Sequence, residues 1–175
     1  MKIKHINKYL DLYDKEKYIF DIIGKRTRDR GYLDFNDLYT ICMWKSRRQK
    51  NRYLKNKKLD VERITKFAFK QVNEKSKIDW LLRLEGVGIP TASAILTAVY
   101  PDKYAIIDIR CIDMIRAIGL KSINKTISKE GWYEFLKAIR KIAKENKITP
   151  REVDKILFAM HEEKLEKNNY KNLYD

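Results

Sequence analysis

The residues with the most to offer chemically are Gly86-Val87-Gly88, Asp108, and the cations that follow Met43-Trp44. Between Trp80 and Leu96 two short helices flank a turn that reads as too tight for a Cβ at both glycine positions. Gly86 suits a left-handed helix end, and Gly88 lets a phosphate approach bare backbone. The amides of Gly88, Ile89 and Thr91 then point outward at the start of the second helix, where the helix dipole favours an anion. Contacts of this kind fix register on a duplex without reading its bases. An ordinary helix cap uses glycine in the same way, so the triplet draws its meaning from its surroundings. Asp108 can cap the helix IRCIDMIRAI. Lys45, Arg47 and Arg48 extend an apolar half-helix into a basic cluster, which suits either the lip of a DNA groove or a solvated charged face. Lys45 could approach a cleft from this helix, but a lone lysine in a basic helix more often reads as a phosphate contact or a solvated charge.

The composition supports a polyanionic partner. Of 175 residues, 39 are Lys or Arg and 24 Asp or Glu, a net charge of +15 spread along the chain. Heat adaptation or biased codon usage adds charges of both signs, so an excess this one-sided favours nucleic acid; taken with the hairpin, the expected partner is double-stranded DNA. No apolar run approaches the roughly 18 residues that a membrane helix requires, and the N-terminal stretch is charged where a signal peptide is apolar. The expectation is a cytoplasmic monomer with no membrane partner. Cys42 and Cys111 are the only cysteines, which excludes a disulfide framework and a four-thiolate iron–sulfur cluster. His5 and His161 form no metal-ligand cluster, and His161 reads as a surface or boundary residue.

Six glycines and three prolines leave little turn material, and strict apolar/polar alternation is almost absent. The chain therefore reads as all-α and as a single domain over 1–175: N-terminal helices in 1–33, the hairpin in 80–97, and a frayed tail at 168–175. An opening amphipathic segment carries Ile6, Leu10, Tyr13, Tyr18, Phe20, Ile22 and Ile23. From an Asp34 or Asn36 cap, one helix is expected through Asn56. Asp60 is expected to cap the next, with Ile64, Phe67, Ala68 and Val72 facing inward, and Ser76 with Asp79 to start another. Pro90 suits a first helical turn, and Ala92, Ala94 and Ala98 permit close packing along the helix that ends at Pro101. Ser128 can cap the following helix, and Thr149-Pro150-Arg151-Glu152 has the residues of a capping box.

The string L-x-G-V-G-x-x-T-A-x-A-I-L, followed by PDKYAIIDIRCIDMIRAIG, resembles the helix-hairpin-helix of the DNA glycosylase superfamily together with its Gly/Pro-Asp loop. The resemblance extends over about residues 35 to 167 and is specific over 80 to 118. It implies a helical bundle or barrel of two lobes around a cleft, and it sets Asp108 where the family's catalytic aspartate stands. A carboxylate there would stabilise an oxocarbenium-like sugar, or activate water, as a flipped-out base departs. The family's strand-cleaving members place a lysine where Pro90 stands here, so a monofunctional base-excision glycosylase is implied, with a non-catalytic DNA-binding relative as the alternative. The same resemblance implies a monovalent cation held by the carbonyls of Leu84 and Val87. Gln49 is a candidate to fill the gap left by an extruded base. Tyr39, Trp44, Trp80 and Trp132 could stack on that base, although aromatics at helical spacing are more often core.

Overall fold

The computed structural model describes residues 2, 3, 6–10 and 16–167, with side chains through residue 164; the stretch expected to fray at 168–175, like Tyr13, lies outside the described residues. Helix is the only regular secondary structure among the described residues, with no strand. The helices are α1 (Ile6–Leu10), a π-helical turn (Tyr18–Gly24), α2 (Lys25–Arg30), α3 (Phe35–Lys45) and α4 (Lys50–Tyr53). They continue with α5 (Lys58–Lys70), α6 (Glu74–Leu81), α7 (Ile89–Val99), α8 (Ile109–Ala117), α9 (Lys129–Asn146) and α10 (Pro150–Lys167).

Side-chain caps set several of these starts. Asp34 accepts the Asp37 amide at 2.8 Å, Ser128 accepts the Gly131 amide at 3.0 Å, and Thr149 and Glu152 bond reciprocally at 2.7 and 3.2 Å. Each such cap contributes about 1 kcal/mol. Two expected starts are displaced. Asp60 lies in the first turn of α5 rather than before it, and Asn73, accepting from Lys75 and Ser76, caps α6. Val72, expected inward, lies beyond α5 and is 97% exposed, and Phe67 stacks on the outer face of Trp80 at 5.0 Å.

The helix expected to run unbroken to Asn56 stops at Lys45. Ser46 is extended (φ −159°, ψ 112°), a 3₁₀ turn covers Arg47–Gln49, and α4 resumes in a new direction. The tight cluster of cations favours such a break, because a continuous helix would stack their charges one turn apart.

The packing centres on α7, whose residues Thr91–Val99 are all buried. Its alanines let α3 and the π-turn approach closely, while α5 pairs with α6. A second set of pairings joins α1, α8 and α9 to α10, and the buried apolar side chains of both sets form one contiguous cluster. Between α7 and α8, Tyr104–Ile107 are buried and lie outside any helix or strand. Two of their amides bond to side chains: Ile106 N–H donates to Asp154 Oδ2 at 2.7 Å and Ile107 N–H to Ser93 Oγ at 3.1 Å, while Tyr104 N–H donates to the Tyr100 carbonyl at 3.1 Å. Buried amides must find acceptors, and here α7 and α10 supply them, fixing the segment that delivers Asp108.

Candidate active site

Asp108 is the N-cap of α8, with Oδ1 accepting the Arg110 amide at 2.9 Å. Its other oxygen, Oδ2, accepts a hydrogen bond from Lys45 Nζ at 2.6 Å. The carboxylate therefore has one oxygen fixed by backbone and one by an ammonium. Burial pushes its pKa up, but the Lys45 charge and hydrogen bond, with the Arg110 amide, outweigh that and hold it below the ordinary 3.8. The Lys45 and Asp108 side chains are 14% and 24% exposed. Lys45, expected as a phosphate contact or solvated charge, is thus withdrawn from solvent at the last position of α3, where the break at Ser46 leaves it facing Asp108.

Both side chains line a cavity of about 720 Å³, together with Trp44, Arg47, Arg48 and Pro90. Glu16, Arg110, Arg151, Asp154, Lys155 and Phe158 also line it. Sequence reading gave none of these six a role in a site; Arg151 was noted only within the capping box at the start of α10. The signal that existed was a stripe at 151, 154/155 and 158 on α10, where charged residues occupy the inward phase shared with core positions. Arg151 is 7% and Asp154 2% exposed, and the two are ion-paired, with Glu16 as a second partner of Arg151. Burial pushes the Asp154 carboxyl up to about 6 against the pull of Arg151 and the Ile106 amide. Burial lowers the Lys155 ammonium. Cys111 also lines the cavity, and burial raises its thiol well above 9.0, so it holds no reactive thiolate.

A second cavity, about 370 Å³, lies against the turn joining α6 to α7 and is lined by Gln49, Arg52, Tyr53, Leu84 and Gly86–Gly88. Ser46 and Pro90 border both cavities, so the 3₁₀ turn of Arg47–Gln49 sits between the carboxylate and the glycine turn. Gly86 has φ +80°, and a Cβ there would lie 2.7 Å from the Tyr53 ring. Asn56 clamps the same turn, accepting from Glu85 N–H at 2.8 Å and donating to its carbonyl at 3.0 Å. Gly88 departs from expectation. Its φ of −99° suits any residue, and a Cβ would meet only Pro90 Cδ, at 3.9 Å, so no internal contact requires glycine there. The first bond of α7 runs from Ala92 N–H to the Gly88 carbonyl at 2.8 Å, which leaves the amides of Gly88, Ile89 and Thr91 without a helical acceptor.

The remaining sequence candidates separate. Trp44 lines the larger cavity, edge-on to Phe20 at 5.7 Å. Trp132 is buried against Tyr104, Tyr39 stacks on Phe35, and Trp80 lies under Arg83, so these three lie outside the carboxylate cavity. His161, expected near the surface, is 6% exposed in α10. Cys42 and Cys111 are both buried and free. Among the described residues no cluster of His, Cys, Asp and Glu could hold a metal, and no helix is long and apolar enough to cross a membrane.

No family model matches the chain, and neither a curated protein nor a solved structure matches it.

Proposed function

We propose that this protein is a DNA glycosylase that excises a damaged, modified or mismatched base from duplex DNA, with Asp108 as the catalytic carboxylate. The observation that carries the reading is that Asp108 does two things at once. One oxygen caps α8, which fixes the carboxylate, while the side chain opens into a cavity whose volume, about 720 Å³, falls within the roughly 300–1,000 Å³ of small-molecule sites. A cap alone would need no cavity. Trp44 and Phe158 line the cavity as the aromatic groups that would stack on an extruded base, and the ionised carboxylate would stabilise the cationic sugar as the base leaves.

In this reading α6, the glycine turn and α7 form a helix-hairpin-helix, and the two sets of helix pairings form lobes on either side of the cleft. The amides of Gly88, Ile89 and Thr91 take a backbone phosphate, and the open face of Gly88 leaves it room. The hard oxygens of the Leu84 and Val87 carbonyls suit a monovalent cation there; Leu84 O accepts the Val87 amide at 3.1 Å and keeps a second lone pair. Arg47 and Arg48 lie between phosphate grip and carboxylate, with Gln49 beside the turn.

The test is a panel of duplexes, each with one lesion, incubated with the protein and then treated with alkali to break abasic sites. Breakage at one or more lesions is expected. Salt-dependent duplex binding with no breakage on any lesion would instead favour a DNA-binding protein in which Asp108 only caps a helix.

A further inference from the structure

We propose that the cleft between α5 and the end of α6 is a second nucleic-acid site, which stacks an unpaired base of single-stranded DNA running on from the glycine turn. One face of α5 lines the cleft at helical spacing, through Asp60, Arg63, Ile64 and Phe67. Trp80 lines it from α6, Arg83 and Glu85 from the turn beyond, and its volume is about 590 Å³. Phe67 and Trp80 lie nearly parallel, 16° apart with ring centroids at 5.0 Å, yet Phe67 remains 45% exposed. The Arg83 guanidinium lies 3.9 Å from the Trp80 ring centroid, so a cation already sits against the stack. The cleft thus presents a flat aromatic platform with a positive charge beside it.

Charge and shape together name the occupant. Lys55, Lys57, Arg63 and Arg83 outnumber Asp60 and Glu85 on this lining, and both carboxylates already have arginine partners, Arg63 at 2.9 Å and Arg52 at 3.5 Å. A second copy of this chain would bring its own net charge of +15 to the same face, which disfavours self-association there. A polyanion that carries flat apolar groups satisfies both features. Duplex bases present only their edges in the grooves, whereas an unpaired base presents its face, so an aromatic platform selects single strand. Arg83 and Glu85 also line the cavity at the glycine turn, which makes the two sites contiguous. A strand whose phosphate rests at Gly88 can therefore continue into the cleft, and the proposal rests on the glycosylase reading for that phosphate alone.

The experiment is fluorescence anisotropy with a labelled blunt duplex and the same duplex carrying a short single-stranded thymidine overhang, using wild type, Phe67→Leu, Phe67→Tyr and Tyr133→Leu. Each protein is its own reference, because the overhang gain is the ratio of its two affinities. Wild type is expected to bind the overhang duplex on the order of tenfold more tightly, the usual effect of one stacked base. Phe67→Tyr keeps the ring and should keep the gain, as should Tyr133→Leu, which removes an exposed aromatic on α9 outside the cleft. Phe67→Leu keeps apolar bulk without a π face and should lose the gain. No gain in wild type, or the full gain in Phe67→Leu, overturns the proposal, since attraction of the overhang to lysines and arginines alone would survive that change. Self-association of wild type that Phe67→Leu abolishes, with no overhang gain, would overturn it in favour of a second copy. The lesion panel on blunt duplexes is read separately. Excision without an overhang gain sinks only the stacking site, whereas an overhang gain lost in Phe67→Leu, without excision of any base, supports the site and counts against the glycosylase.

Discussion

Ser93 Oγ accepts the Ile107 amide at 3.1 Å, and this bond ties α7 to the residue preceding Asp108. The helix whose first turn is proposed to meet a phosphate therefore also holds the chain that presents the proposed catalytic carboxylate. On the opposite side Asp154 holds the Ile106 amide at 2.7 Å.

Replacing Asp154 by alanine removes that acceptor and leaves Arg151 buried with Glu16 as its remaining carboxylate. Breaking a buried pair in this way costs about 3–5 kcal/mol. Urea denaturation should show a loss of that size, against a much smaller one for Asp60→Ala on the surface of α5.

The two glycines of the turn should respond differently to alanine. Gly86→Ala is strained by φ +80° and by the Tyr53 ring 2.7 Å away, and should lose about 1–3 kcal/mol of stability. Gly88→Ala meets nothing nearer than 3.9 Å, so its stability should stay within about 0.5 kcal/mol. Its affinity for an undamaged duplex should nevertheless fall roughly tenfold, about 1.4 kcal/mol, because the methyl group occupies the phosphate's approach. Fluorescence anisotropy with both variants checks the pair, and unaltered binding by Gly88→Ala would remove the phosphate from that turn.

Arg47 is exposed beside the cavity, and in a duplex complex it should neutralise one phosphate. Arg47→Gln should reduce the slope of log affinity against log salt by about 1 while weakening binding to all sequences alike.

The Asp108 pKa is lower in the folded protein than its ordinary 3.8, so the unfolded chain binds that proton more readily between the two values. Its contribution to stability is present above 3.8 and is lost as pH falls through the lower folded value. The stability gap between wild type and Asp108→Asn should thus be constant from neutral pH down to about 4 and should shrink below it, as followed by urea denaturation across pH.

The glycine turn and the Asp108 cap were legible in the sequence because each is a local matter of backbone geometry and helix starts. The Lys45–Asp108 pair was not, because it depends on Ser46 turning the chain after Lys45, and helical periodicity runs smoothly through that point. Val72 illustrates the same limit: it continues the apolar phase of α5 but falls beyond the Gln71 end. The wall of Glu16, Arg151 and Asp154 joins residues 135 or more apart in sequence at its longest pair, a relationship set by packing rather than by local pattern.

The most direct test of the central claim is single-turnover base excision by wild type and Asp108→Asn on the lesion that the panel finds best, with alkali added so that excision alone is read. Asparagine keeps an oxygen for the Arg110 amide and so preserves the cap, while removing the charge. The rate should fall by about 10²–10³-fold with duplex binding intact, the usual loss when a stabilising group is withdrawn from a developing charge. Equal excision by the two proteins would contradict the assignment of Asp108.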